Sequence, residues 1–489
     1  VGSMDELINS IFEPLVRVLS GFLFWDPFKT FGIELGFRFP FVVMWLMVWG
    51  VYFTIRMGFI NIRAFWHSIL ITSGRLDRGS KKGEVSHFQA LSAALSATVG
   101  LGNIAGVAVA ISVGGPGATF WMIMAGLLGM SLKFAECTLG QKYRIIDAKG
   151  RVSGGPMYYL SQGLAKRNLK VLGKVLAVIF SILVIGASFG GGNMFQANQA
   201  FSQMAYIIPW LNGKGTYFGL VLAFLVGLVV LGGIKSIAGV ASRIVPFMVF
   251  LYISASLVII FVNITKVGDV LRSIVEQAFG LKSMAGGFFG AFIIGFQRGA
   301  FSNEAGIGSA SIAHSAARTD EPVSEGIVAL LEPFIDTVVV CTMTALVINI
   351  SGLANGGSAL QGAQLTSAAF ATVLPWFPYL LAIAILLFAF STMISWSYYG
   401  LKGFNYLFES WLNRFIPVPN VSTKFYYVIF LFCIVVGSAS NLWAVMDFSD
   451  MMILGMAFPN ILGMLFMVKE LRADLNSYWG RWKSGNLYQ

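Results

Sequence analysis

The sequence predicts an all-α integral membrane protein of about eleven transmembrane helices, built as two inverted five-helix runs with one extra helix in front. Three observations predict it. Of 489 residues, 57% are apolar and 11% charged, with a mean hydropathy of +0.77; a soluble domain carries about 25% charged residues. Apolar stretches near the ~20 residues that a spanning helix needs recur along the chain. Two of those stretches are interrupted near their middles by the same four-residue pattern. This balance excludes a soluble enzyme, a disulfide-rich secreted domain and a disordered chain. The apolar runs also far exceed the ~10-residue alternating strands of an outer-membrane barrel.

Residues 1–35 are expected to hold a short non-native leader, Val1-Gly2-Ser3, and an interfacial helix, with no signal peptide. From Met4 to Trp25 the side chains Leu7, Ile8, Ile11, Phe12, Leu15, Val18 and Leu19 fall near one stripe, which suits a helix lying on the membrane. Asp5, Glu6, Glu13 and Arg17 argue against the alternative of a spanning helix. Hydropathy places spans at 36–55, 88–113, 117–141, 172–205, 216–233, 244–264, 284–312, 325–350, 376–399, 424–439 and 444–467. The span 36–55 is the extra helix, 86–264 the first run, 284–467 the second, and 468–489 a cytoplasmic tail.

Lysine and arginine set the orientation. One alternating set of connections carries 24 of the 33 basic residues and the opposite set carries 7. The richer set is expected in the cytoplasm, which puts the N-terminus outside and the C-terminus inside the cytoplasmic membrane. The net charge of +11 is therefore a topology signal, and no nucleic-acid partner is expected. Lys133 and Glu136, near a cytoplasmic helix end, are expected to form a surface pair. Cys137, Cys341 and Cys433 are too far apart for a disulfide framework or zinc site. His67, His87 and His314 occur singly, which argues against a metal cluster.

The interruptions carry the chemistry. The first reads Ser96-Ala97-Thr98-Val99-Gly100-Leu101-Gly102-Asn103-Ile104-Ala105-Gly106, and the second Gly295-Phe296-Gln297-Arg298-Gly299-Ala300-Phe301-Ser302-Asn303-Glu304-Ala305-Gly306-Ile307-Gly308. Both contain Asn-x-Ala-Gly, 200 residues apart, each at the head of five spans. Five is odd, so the second run enters from the opposite side, as an inverted repeat requires. Membrane-helix glycines also serve close packing, but that alone leaves the matched placement unexplained. A helix broken at mid-membrane opens N–H groups toward a carboxylate and carbonyls toward a small cation, and lipid tolerates this only where the backbone lines a cavity. These features suit a secondary transporter for a small anionic or zwitterionic solute.

Several longer motifs resemble the alanine or glycine:cation symporter family. They are Gly114-Gly115-Pro116-Gly117-Ala118-Thr119-Phe120-Trp121-Met122 with Lys133-Phe134-Ala135-Glu136, Gly192-Asn193-Met194-Phe195-Gln196-Ala197-Asn198, Arg298 to Gly306, and Phe390-Ser391-Thr392-Met393-Ile394-Ser395-Trp396. The resemblance spans about residues 60 to 470 and implies Na⁺-coupled, sometimes H⁺-coupled, uptake of alanine or glycine on a LeuT-like five-plus-five fold. It also implies that the N–H groups of Leu101 and Gly102 receive the substrate carboxylate, beside Thr98 and Gly100. A Na⁺ would be held by the carbonyls of Ser96, Val99 and Phe388 and the hydroxyls of Ser391 and Thr392. The alternative for those two hydroxyls is a bond back to their own helix. Thr98 and Asn103 are candidates for a second Na⁺, and Asn103 equally for pinning the unwound backbone.

Gln196 is expected to bind substrate, Asn193 to serve packing, and Phe296, Met393 and Trp396 to cap the pocket. Glu332 and Asp336 lie i, i+4 on one helix, and Arg298 is the expected partner of one of them in an inner gate. No nucleophile–base constellation appears, so no enzyme is expected. The expected function is a sodium-coupled symporter of small neutral amino acids, with a proton-coupled permease on the same fold as the alternative. Its partners are the amino acid and the bilayer.

Overall fold

A computed structural model of the chain describes residues 21, 24–32, 39–76, 82–280, 287–356, 360–416, 420–485 and 487. The expected leader and almost all of the expected interfacial helix lie outside the described residues. Within them the regular structure is helical, apart from one two-residue antiparallel ladder, Ile145–Ile146 against Val152–Ser153, and an isolated parallel bridge between Val85 and Ala317. Seven described helices are long and apolar enough to cross a membrane, and one bent pair adds an eighth crossing.

The helices follow the expected spans closely. In chain order they are α1 (Phe41–Arg56), α2 (His87–Thr98), α3 (Ala105–Gly114), α4 (Ala118–Lys142), α5 (Lys170–Phe189) and α6 (Phe195–Ile207). Then come α7 (Gly215–Val230), α8 (Gly233–Val262), α9 (Ile264–Phe279), α10 (Gly287–Asn303), α11 (Ala310–His314), α12 (Pro322–Val328) and α13 (Thr342–Ser351). The last four are α14 (Phe377–Phe415), α15 (Val421–Ala439), α16 (Leu442–Gly455) and α17 (Ala457–Lys483).

Both interruptions are present. Helices α2 and α3 meet at a 55° bend around a single tight turn, Leu101–Asn103. Helix α2 is anchored at its start by a reciprocal cap between Ser86 and Gln89, so its register is fixed before it reaches the break. Helix α10 stops at Asn303, and the chain turns through Glu304, Gly306 and Gly308, all at positive φ (54°, 80° and 94°), before α11. A non-glycine residue at positive φ is uncommon and held by its surroundings, and Glu304 is one such. Two wide π-turns, Gly190–Met194 between α5 and α6 and Phe334–Cys341 ahead of α13, lie beside these breaks.

Three elements run longer than the sequence suggested, α8 by starting at Gly233 where the span was expected from 244. Helix α14 continues past residue 399 because Gly400 and Gly403 let it lie directly on Ser188 and Val184 of α5. Helix α17 passes through the expected tail, with Leu471, Leu475 and Tyr478 buried and the Tyr478 hydroxyl 2.8 Å from His67 Nε2.

Packing depends on small residues and buried amides, as it must where lipid gives little hydrophobic drive between helices. Asn193 donates to the Phe430 carbonyl of α15 at 2.6 Å, and Asn198 to the carbonyls of Gly437 and Ser440 at 3.2 and 2.6 Å. At Gly295 a Cβ would lie 2.3 Å from the Ala118 carbonyl oxygen, which is backbone and cannot swing away. Gly295→Val should therefore separate α10 from α4 and cost about 1–3 kcal/mol or more; a lowered melting temperature of the purified protein in detergent checks this.

Candidate functional site

The two breaks face each other. At the first, the Gly100 N–H donates to Asn103 Oδ1 at 2.8 Å and the Leu101 N–H donates to Gln196 Oε1 at 3.0 Å. Gln196 in turn donates to the Gly191 carbonyl in the π-turn at 2.9 Å. Asn103 pins the bend from the other side, donating to the Asp336 carbonyl at 3.0 Å and to Asp336 Oδ2 at 2.7 Å. At the second break, Ser302 donates to Asp336 Oδ1 at 2.8 Å. One buried carboxylate therefore ties both breaks together. Its other oxygen contact is also neutral, the Thr337 hydroxyl at 2.7 Å.

Against the first break lies α14. The Ser96 hydroxyl donates to the Ser391 carbonyl at 2.6 Å, and the Ser391 hydroxyl donates to the Phe388 carbonyl at 3.0 Å. Ser391 thus makes the back-bond to its own helix. Thr392 Oγ1 does not: it is buried and has no hydrogen-bond partner among the described residues. It sits so close to the bend that a Cβ at Gly100 would lie 2.5 Å from it. Thr98 turns its hydroxyl back onto α2, toward the Ala94 and Leu95 carbonyls at 3.3 and 3.5 Å. An all-oxygen set of Ser96, Val99, Phe388, Ser391 and Thr392, with one hydroxyl unsatisfied, fits a small hard cation. A separate cavity bordered by α6, α7 and α15 is lined by amides and hydroxyls including Asn198, Gln199, Ser202, Gln361, Gln364 and Ser440, with no charged residue among its lining.

The structure rearranges several expected roles. Phe301, not Phe296, borders the first break: its Cδ1 would lie 3.7 Å from a Cβ at Gly102, and its ring meets Phe195 and the Arg298 guanidinium. Phe296 instead packs on Phe292, at 6.1 Å between ring centres. Trp396 lies against Gly192 and donates its ring N–H to Glu304 Oε1 at 3.0 Å, while Met393 is buried. Arg298 does not pair with Glu332 or Asp336. Its partner is Asp450 of α16, which Gln297 also reaches at 3.1 Å.

Lys133 and Glu136 are not a surface pair. Both are fully buried, and Lys133 lies 3.1 Å from Glu332 and 3.6 Å from Glu136. The single histidines His87 and His314 converge on one carboxylate, Glu325. Ser302 stands one residue before the repeated asparagine and is a local signal; nothing in linear spacing points to Asp450 or to the Glu325 meeting.

The site predicts a sharp contrast between its two glycines. Gly100→Ala should lower the melting temperature, because its methyl meets Thr392 Oγ1 at 2.5 Å and Gln196 Oε1 at 3.1 Å, an overpacking cost of about 1–3 kcal/mol. Gly102→Ala meets nothing closer than 3.5 Å and should be neutral or stabilising by about 0.4–1 kcal/mol. Thermal denaturation of the two variants distinguishes them.

A family model described as the sodium:alanine symporter family matches residues 33–489. The sodium/alanine symporter AgcS of Methanococcus maripaludis is 39% identical over 434 residues, covering 88% of this chain and 92% of that protein. The probable sodium/glutamine symporter GlnT of Bacillus subtilis is 36% identical over 450 residues, covering 91% of this chain and 89% of that protein. Among solved structures, MhsT in complex with L-phenylalanine matches with a TM-score of 0.52 at 13% identity, over 81% of this chain and 99% of that one. At that identity the likeness shows the fold alone, and the fold is LeuT-like. By sequence along nearly its whole length, this chain is a multi-pass membrane transporter, not an enzyme, and it belongs to the sodium:alanine symporter family.

Proposed function

We propose that this chain is a sodium-coupled symporter that brings small neutral amino acids, alanine and glycine, across the cytoplasmic membrane by alternating access. The observation that carries the reading is the first break. Its N–H groups and an unsatisfied buried hydroxyl, Thr392, stand side by side at a bend where a side chain at Gly100 would collide with Thr392. A zwitterion needs a donor site for its carboxylate, and a coupled cation needs oxygens next to it. Gln196 Oε1, accepting from Leu101, marks where a substrate carboxylate oxygen would accept. Gly102 leaves room beside it, and Phe301 and Trp396 bound the space so that large side chains are excluded.

The cation would be held by the carbonyls of Ser96, Val99 and Phe388 with the hydroxyls of Ser391 and Thr392. A second cation is proposed at Asn103 and the Thr98 carbonyl, with Asp336 as its counter-charge, since that carboxylate is bonded only by neutral donors. The eleven-span, inverted five-plus-five arrangement, with the N-terminus outside and the C-terminus inside, belongs to the same proposal. It is supported by the matched breaks at α2/α3 and α10/α11. The uncharged lining of the cavity bordered by α6, α7 and α15 suits a neutral solute.

Uptake of labelled alanine into proteoliposomes, with and without an inward Na⁺ gradient at fixed pH, tests the reading. Concentrative, Na⁺-dependent uptake is expected. Uptake that ignores Na⁺ but follows a proton gradient would replace it with proton coupling. Thr392→Ala should raise the Na⁺ concentration for half-maximal uptake about tenfold, the equivalent of about 1.4 kcal/mol. An unchanged Na⁺ dependence would remove Thr392 from the ion site.

A further inference from the structure

Beside the second break lies a buried ionic cluster that neither the amino-acid site nor the cation site uses. Glu136, Glu304, Glu325 and Glu332 gather with His87 and His314 around one lysine, Lys133, and all seven are buried. Lys133 Nζ lies 3.1 Å from Glu332 Oε1 and donates to the Glu304 carbonyl at 3.3 Å. The Gly308 N–H donates to Glu136 Oε2 at 3.0 Å. His314 Nδ1 is 2.5 Å from Glu325 Oε1, His87 Nδ1 contacts Glu325 Oε2, and His314 Nε2 faces Glu332 Oε2 at 3.7 Å.

Contacts therefore run unbroken from Trp396 through Glu304, Lys133, Glu332, His314 and Glu325 to His87, the first residue of α2. That end lies beside the loops that Arg144 joins by donating to the carbonyls of Lys82, Ser315 and Ala317.

Counting protons shows what the cluster lacks. Three nitrogen–carboxylate contacts involve two imidazoles, and a neutral imidazole brings one N–H whichever tautomer it adopts. Two of the three contacts can be satisfied that way. In the third, a bare nitrogen would face a bare carboxylate oxygen, and both are acceptors. One further proton removes the clash, and four carboxylates around one lysine favour that added positive charge. Among the described residues the other titratable groups close by do not supply it: Cys137, Tyr159 and Tyr399 are not bases, Asp336 is a further carboxylate, and Arg144 donates instead to loop carbonyls.

We propose that the His314–Glu332 contact binds one exchangeable proton, taken from water on the face where His87 lies, and that this proton keeps the second break docked. Helix α11 follows directly from the unwound stretch 304–309. A repulsive His314–Glu332 contact would push α11 off the helical turn Leu331–Pro333 that carries Glu332 and loosen that stretch. By the distribution of basic residues this face is cytoplasmic, so cytoplasmic acidification should hold the inner side shut.

The proton site stands on the geometry; its effect on uptake rests on the symport reading. Protein labelled with ¹⁵N at histidine has three imidazoles to follow, since the chain contains three histidines. Burial lowers the His314 pKa, but Glu325 and Glu332 beside it raise it by more, to about 9, so the His314 Nε2 shift is expected to change between about pH 7 and about pH 11. Variants His67→Gln and His87→Gln identify it by elimination. If no imidazole of the wild-type protein changes over that range, the proposal is overturned, whatever the transport result.

In proteoliposomes under a fixed inward Na⁺ gradient, wild-type alanine uptake should slow as the lumen is acidified through about pH 9. Glu332→Gln presents a permanent amide N–H to His314, and it should be slow and lose the dependence on lumenal pH. Retention of the wild-type dependence in Glu332→Gln would also overturn the proposal. Absence of any alanine uptake by wild type would instead sink the symport reading and leave the nitrogen shifts to decide the proton site.

Discussion

A spanning helix that stops inside a membrane leaves backbone N–H and C=O groups where no water can reach them. Each unsatisfied group costs several kcal/mol there, so two such stops dictate what surrounds them. Asn103 accepts from the Gly100 N–H and donates to Asp336, closing the first break with one side chain. Asp336 also takes the Ser302 hydroxyl from the second break. Glu136 and Lys133 of α4 serve the second break directly, one taking the Gly308 N–H and the other reaching the Glu304 carbonyl. The π-turn at Gly190–Met194 brings Gln196 into reach of Leu101, and the other π-turn carries Asp336. A π-turn shifts side-chain phase without ending the helix, and it commonly marks a functional position.

The buried charges follow from the same constraint. Lys133, Arg298 and Asp336 would each be costly alone in this environment. Lys133 is matched to Glu332 and Glu136, Arg298 to Asp450, and Asp336 to a ring of neutral donors. Removing one partner of a buried pair typically costs about 3–5 kcal/mol, because the remaining charge is stranded. These pairs tie α4 to the turn Leu331–Pro333 and α10 to α16, while the amino-acid and cation candidates remain uncharged apart from Asp336. Charge therefore orders the scaffold, and the first break is closed by the neutral side chains of Asn103 and Gln196.

Much of this was legible in one dimension. A span is long, continuous and apolar, so hydropathy locates it within a few residues, as at α4, α7 and α15. Glycine and asparagine clustered inside such a span contradict a regular helix, which is why both breaks could be read at Gly100–Asn103 and after Asn303. Where helices end in solvent or pack on one another, the signal fades. Helix α14 runs on past Gly400 because that glycine meets Ser188 of α5, a contact that leaves no trace in the local sequence.

Residue types and spacing by themselves determined the membrane class and the two interruptions, while the candidate cation oxygens followed from the family resemblance. Backbone chemistry and local periodicity suffice for the first two. Only the tertiary structure decided the partnerships. It gave Arg298 to Asp450, 152 residues away, buried Lys133 and Glu136 instead of exposing them, put Phe301 in the place expected for Phe296, and joined His87 and His314 through Glu325. A buried charge takes whichever opposite charge the packing brings within a few ångströms. That distance is set by how whole helices cross, and no spacing along the chain encodes it.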